Sequence, residues 1–269
     1  MGTVRLQRDG PVARLTIDHP ARLNAMSLAM WGQLADLVGE LGKDPELRVL
    51  LLRGSGTSAF VSGSDISGFD TQRNNPANVA AYAAAVERAQ EALIASPVPS
   101  VACIHGVCMG GGIGLAVACD LRYSSRDARF RMPAARLGLA YSVKGVRRMV
   151  DVIGAAHAAE MFYTARTFDG SAAQQIGLVH HALDAADLDA AVEDVLQHIA
   201  ANAPLTIRAT KLAINAALGS VNACDPDRAI NAINAINAAS AASACFDSAD
   251  YIEGRRAFIA RRVPQFSGT

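Results

Sequence analysis

Apolar and polar positions alternate at the start of the chain. Residues 4–6 and 12–17 follow a period of two on either side of Asp9 and Gly10, which predicts a β-hairpin. Beyond His19 and Pro20 the period lengthens: Met26, Met30, Leu34, Leu37, Val38 and Leu41 are spaced as one face of a helix. Residues 48–53, RVLLLR, are a short apolar run of the kind that forms a strand buried on both faces. The order then recurs, with a polar loop at 72–76, an Ala-rich helix at 78–95, Pro97 and Pro99 as breakers, and a strand at 100–105.

Strand, helix and strand in repetition predict an α/β architecture with a buried sheet. From Leu188 onward strand signals fade and Ala-rich helices take over, including 205–218 and 225–246. Within the latter, Ile230, Ile233 and Ile236 recur every third residue beside Asn231, Asn234 and Asn237. A three-residue period drifts around an α-helix, and it fits either a core helix or a subunit interface.

Composition narrows the classes. The chain has 269 residues, 51% of them hydrophobic, with 25 Lys+Arg against 25 Asp+Glu. Zero net charge argues against a dedicated nucleic-acid or anionic-membrane binder, which gathers a basic excess. No apolar run reaches the roughly 18 residues of a membrane span, and the N-terminus lacks a signal-peptide pattern. The five cysteines (103, 108, 119, 224 and 245) lie in apolar or Ala-rich surroundings without a close Cys/His spacing of metal-site type, so they read as buried free thiols of a cytoplasmic protein with no metal site.

Chemistry is concentrated in two glycine-bearing turns, each after a strand. The first presents Ser62, Gly63 and Ser64; the second presents Gly110, Gly111 and Gly112 and opens an apolar helix through Val117. Glycines before a helix let a ligand approach the backbone, and the first helical amides point outward at the positive dipole end, a place suited to an oxyanion. Neither turn has a phosphate-binding pattern.

The runs HPARLNAM, AFVSGSDI, IHGVCMGGGIGLAVACDLRYSSRDARF, ARTFDGSAAQQIGLV and DYIEGRRAFIARRVPQF, in order along nearly the whole chain, resemble the crotonase superfamily, the enoyl-CoA hydratase/isomerase family. The resemblance implies a spiral of ββα repeats over residues 1–200 carrying the CoA site, and a helical oligomerisation region over 201–269 that builds a homotrimer or a hexamer of two trimers. It implies an acyl-CoA thioester ligand, with coenzyme A as part of the substrate and no separate cofactor, in a lyase or isomerase of fatty acid metabolism. The backbone amides of Ser62 and Gly111 would form the oxyanion hole. Arg22, Asn24, Ala25, Ala59, Ser64, Asp65 and Ile66 fall where the family lines its CoA site, and Phe258 and Arg261 fall where a neighbouring subunit or the C-terminus meets the nucleotide end.

The sequence departs from the pattern at two positions. Hydratases of the family carry a glutamate in the helix after the glycine turn and another after the next strand; here Gly114 and Ala134 stand there. Hydration of an enoyl thioester needs groups that activate water and protonate carbon, each contributing roughly a hundredfold to ten-thousandfold. Substitutes in the segment 130–149 are Arg136, Tyr141, Ser142 and Lys144, of which Tyr141 and Ser142 sit near where some relatives place an aspartate. His105 adjoins the glycine turn, His180 and His181 follow a strand expected at IGLV, and Asp65 and Asp120 are expected to hydrogen-bond loop backbone. Three readings follow: an acyl-CoA enzyme working through an enolate or tetrahedral oxyanion without the two glutamates, a catalytically silent acyl-CoA-binding protein, or a diketone or thioester hydrolase on the same fold.

Overall fold

Residues 2–65, 75–220 and 228–269 are described by a computed structural model. Strands β1 (Thr3–Asp9) and β2 (Val12–Asp18) pair antiparallel, with Asp9 opposite Val12 across the turn at Gly10, so the hairpin forms as the alternation predicts. A 3-10 turn at Pro20–Arg22 leads to helix α1 (Leu28–Leu41), capped by the Ser27 hydroxyl, which accepts from the Met30 amide. Met26 therefore lies outside the helix that its spacing suggested. It bridges to Ser64, its N–H donating to the Gly63 carbonyl and its own carbonyl accepting from the Asp65 N–H.

Three strand–strand–helix units follow. They are β3 (Val49–Gly54), β4 (Ala59–Val61) and α2 (Pro76–Ala95); β5 (Ser100–Ile104), β6 (Val107–Met109) and α3 (Gly111–Ala118); and β7 (Leu121–Ser125), β8 (Arg129–Arg131) and α4 (Ala134–Leu137). The first strand of each unit joins a six-stranded sheet, and the second joins a separate four-stranded sheet. The corner between β5 and β6 is tight: Gly106 has φ +60°, and a Cβ there would lie 2.1 Å from the Ser58 carbonyl oxygen. Helix α5 (Val143–Thr164), β9 (Thr167–Asp169), α6 (Gly170–Gln175) and β10 (His181–Leu183) complete the sheets, in the orders β1-β2-β3-β5-β7-β10 and β4-β6-β8-β9. The IGLV segment is a buried turn at Leu178 and Val179 rather than a strand; β10 begins only at His181.

From β2 onward the large sheet is parallel and covered on both sides. Leu50, Leu52, Ala102 and Ile104 face the main core with Trp31 and Phe60. Val49, Leu51, Val101 and Cys103 face Leu188, Val192 and Leu196 of helix α7 (Ala185–Ala201). That two-sided burial is why RVLLLR is unbroken rather than alternating. Each large apolar side chain so enclosed is worth about 1.5–3 kcal/mol over its exposed state.

Helices α8 (Pro204–Ser220), α9 (Arg228–Phe246) and α10 (Ala249–Ala260) end the chain. Helix α8 is pinned to the core by Lys211, whose buried ammonium donates to Asp120 Oδ2 at 2.8 Å and to the carbonyls of Leu93 and Val98 at 3.1 Å. Asp120 also accepts from the amide and hydroxyl of Ser100, the first residue of β5, rather than from loop backbone. Ile233 and Ile236 are exposed on α9, so they are not core of this chain; the side chain of Ile230 lies outside the described residues. Cys103, Cys108 and Cys119 are buried free thiols and Cys245 is half-buried, while Cys224 lies outside the described residues. Among the described residues no helix is long and apolar enough to cross a membrane.

Candidate active site

The two glycine turns meet. Strand β4 ends in Ser62, Gly63 and Ser64, and β6 runs into Gly110 and Gly111 at the start of α3. A Cβ on Gly111 would lie 4.0 Å from Gly63 Cα, and one on Gly63 would lie 4.0 Å from the Gly111 nitrogen. Gly111 is the first residue of α3, so its amide is among those a helix leaves without an internal acceptor, at the positive end of the dipole. The turn rests on Trp31: a Cβ on Gly111 would come within 3.1 Å of the indole ring.

A third segment closes over Ser62. Its amide donates to the Leu23 carbonyl at 3.1 Å, and its hydroxyl donates to the Arg22 carbonyl at 3.2 Å. Leu23 and Asn24 both have left-handed backbones, at φ +49° and +56°. The buried Asn24 side chain holds that conformation, accepting from the His19 amide at 3.0 Å and donating to the carbonyls of Ser55 and Ala59 at 3.1 and 2.7 Å. Asn24, Ala25 and Ala59 are thus buried framework, whereas the Arg22 side chain is exposed. Ser64 and Asp65 join the group through backbone pairing to Met26; Ile66 lies outside the described residues.

At Gly114 the space beside the helix is taken by Gln90 of α2, whose Nε2 lies 2.4 Å from where a Cβ would be. Ala134 is buried. Tyr141 packs edge-on against Phe162 and brings its hydroxyl to 3.4 Å from the Cβ position of Gly110. Ser142 caps α5 by accepting from the Gly145 amide at 3.2 Å. Lys144 is exposed and bridges Glu87 and Glu91 of α2 at 2.7 and 2.9 Å, which holds its ammonium above the ordinary lysine range. Arg136 is exposed.

Other expected residues stand apart. His105 turns to Asp189 of α7 rather than to the glycine turn beside it, with Nε2 3.1 Å from Asp189 Oδ1. Phe258, 86% exposed, and Arg261, the left-handed cap of α10, are joined to the glycine turns by no hydrogen bond or ion pair among the described residues. Phe258 lines a separate cavity of about 590 Å³ with Thr206, Phe246 and Phe266.

Sequence reading missed Gln90, whose only mark is polarity within an Ala-rich helix. It also missed one cluster altogether. Cys103, His105 and Asp189 bring their ligating atoms within 4.8 Å of one another, although the cysteines were expected to lack metal-ligand company. Cys103 near the end of β5 and His105 just past it both turn to Asp189, which reaches them from α7. Burial, followed by the nearby Asp189 charge, pushes the Cys103 thiol up to about 12. Burial also acts to raise the Asp189 carboxyl, but the His105 hydrogen bond and the Arg53 charge outweigh it and leave it below its ordinary value.

The sequence pattern described as Enoyl-CoA hydratase/isomerase matches residues 7–269. The chain belongs to the enoyl-CoA hydratase/isomerase family. Within the family it is 29% identical to the short-chain-enoyl-CoA hydratase of Clostridium acetobutylicum, over 97% of this chain and 96% of that one. It is 31% identical to the peroxisomal Delta(3,5)-Delta(2,4)-dienoyl-CoA isomerase of Arabidopsis thaliana, over 77% and 78%. The crystal structure of an enoyl-CoA hydratase/carnithine racemase from Magnetospirillum magneticum superposes with a TM-score of 0.89 at 33% identity, covering 100% of this chain and 97% of that one. The crotonase fold expected from the sequence is the fold observed, with the ββα units and C-terminal helices of this family.

Proposed function

We propose that this family member acts on an acyl-CoA thioester, holding the thioester carbonyl oxygen between the backbone amides of Ser62 and Gly111 as negative charge builds on it. The contact of the two glycine turns carries this reading, because it places two amide-bearing segments side by side at a helix N-terminus. Preorganised donors aimed at a developing oxyanion are commonly worth a hundredfold to a thousandfold each. The Ser62 amide donates to the Leu23 carbonyl, so a thioester oxygen bound there would have to take that carbonyl's place.

The reaction is not ordinary two-glutamate hydration. Gly114 and Ala134 offer no carboxylate, and the neutral amide of Gln90 occupies the first of those places. Tyr141 is the best-placed substitute: its phenol reaches the glycine turn and can donate a proton or orient water. Ser142 serves first as a helix cap and is the weaker candidate. The exposed Arg22 and the buried framework of Asn24, Ala25 and Ala59, together with Ser64, Asp65 and Ile66, receive the CoA portion, which enters as substrate rather than as a resident cofactor. Phe258 and Arg261 contribute from a neighbouring subunit of a homotrimer or hexamer assembled through residues 201–269, and exposed Phe246, Phe258, Ile259 and Val263 support such an apolar interface. The buried free thiols fit a cytoplasmic site of action.

One observation favours a second reading, a catalytically silent acyl-CoA-binding protein: the Ser62 amide already has an acceptor in Leu23. Incubation with crotonyl-CoA and a panel of branched, cyclic and carboxylated acyl-CoA thioesters, followed by product mass, separates the two. Turnover of any thioester supports the first reading. Tight binding without turnover supports the second, and absence of both binding and turnover overturns each.

A further inference from the structure

We propose that Cys103, His105 and Asp189 form a binding site for a zinc-like divalent ion on the α7 face of the six-stranded sheet. The site is independent of the thioester reading. The Cys103 sulfur lies 3.4 Å from Asp189 Oδ1, and His105 Nε2 lies 3.1 Å from the same oxygen. Tetrahedral zinc with ordinary bond lengths sets sulfur and oxygen about 3.5 Å apart, and nitrogen and oxygen about 3.3 Å apart. The observed separations are close to those two edges before any ion enters.

The surroundings suit a three-ligand site. Cys103 lies in β5 and His105 immediately follows its last residue, and both are buried. Asp189 is half-exposed, which leaves the fourth position open to a water. Arg53 takes the other carboxylate oxygen, Oδ2, at 3.3 Å and orients the carboxylate so that Oδ1 faces sulfur and imidazole. One soft thiolate, one imidazole and one carboxylate favour zinc, and cobalt as its spectroscopic substitute, over magnesium or calcium. The proton balance is simple: the Cys103 thiol loses one proton to solvent, and the His105 proton moves from Nε2 to Nδ1 so that Nε2 can ligate. The ion would clamp α7 to β5, the strand before the one that runs into the glycine turn.

Titration of the full-length, chelator-stripped protein with Co2+ alone, under reducing conditions, tests the site. The expected result is one ion per chain, a near-ultraviolet thiolate-to-cobalt band, intense visible bands of tetrahedral coordination, one proton released, and bleaching by equimolar Zn2+. Asp189→Asn, at a half-exposed position that the core does not need, weakens binding at least tenfold. Cys103→Ser abolishes the near-ultraviolet band, while the double variant Cys224→Ser/Cys245→Ser leaves it intact. No band at micromolar Co2+ overturns the proposal, as does a band that survives both Cys103→Ser and Asp189→Asn or disappears in the double variant.

Discussion

The Trp31 indole N–H donates to the Tyr82 hydroxyl at 3.2 Å, and Tyr82 in turn donates to the Met26 carbonyl at 2.9 Å. Both rings are fully buried. This short relay runs from α1 through α2 to the strand-like pairing of Met26 with Ser64, and the same Trp31 ring backs Gly111. One pair of aromatic residues therefore stands behind both glycine turns. Tyr82→Phe leaves the indole N–H without its acceptor at a cost of about 1–3 kcal/mol. The urea midpoint falls accordingly, and turnover of a processed thioester drops in kcat more than it rises in KM.

Gly111→Ala separates catalysis from folding. Its new methyl would press on the Trp31 ring at 3.1–3.3 Å, a crowding that a shift of a few tenths of an ångström relieves. Such a shift moves the proposed oxyanion donor, so kcat falls about tenfold or more while the thermal midpoint changes little. Unchanged kcat would argue that Gly111 does not hold the carbonyl oxygen.

Restoring glutamates tests what Gln90 does. Gly114→Glu alone meets only the far end of the Gln90 side chain, which can swing aside, so stability changes little, and without a second carboxylate the variant gives little crotonyl-CoA hydration. The triple variant Gly114→Glu/Gln90→Ala/Ala134→Glu supplies both carboxylates with the Gln90 amide removed and gains at least a hundredfold in hydration over its parent. Ultraviolet loss of the enoyl thioester measures both. Failure of the triple variant to gain would mean that the two turns are not arranged for hydration even when acid and base are supplied.

Glu253 gives a pH-dependent contact. Hydrogen bonds from Arg262, at 2.6 and 2.8 Å, and from the Gln265 amide hold its carboxyl down at about 2. A carboxyl depressed by folding contributes stability above its unfolded value and loses it as pH falls through the folded one. The brace on the C-terminal segment therefore persists at pH 4 and opens toward pH 2. Carbon-detected NMR of the Glu253 carboxyl reads a midpoint near 2, which moves up toward the ordinary glutamate range in Arg262→Leu, where the Gln265 amide alone still donates to it.

What the sequence made legible was local. The hairpin, the buried strand RVLLLR and the glycine turns are written in contiguous residues whose spacing or backbone freedom has one structural outcome. Met26 and the IGLV segment misled for a related reason: both are apolar, with Met26, Leu178 and Val179 buried, yet a helix cap at Ser27 and the late start of β10 at His181 set the boundaries instead. The Trp31–Tyr82 relay and the His105–Asp189 contact join residues 51 and 84 apart, and Gln90 meets Gly114 across two helices. No spacing rule reports such meetings, because they depend on how layers are laid over one another.

Lys211 has a bearing on how the molecule comes apart. Its ammonium is the shared partner of Asp120 and of the carbonyls that close α2 and precede β5, so detaching α8 would strand a charge and two peptide oxygens at the edge of the main sheet. Breaking such a buried pair from one side costs about 3–5 kcal/mol. The helical end and the sheets should consequently melt in a single cooperative transition, and a chain cut near residue 200 should behave as a destabilised remnant rather than as a freestanding unit.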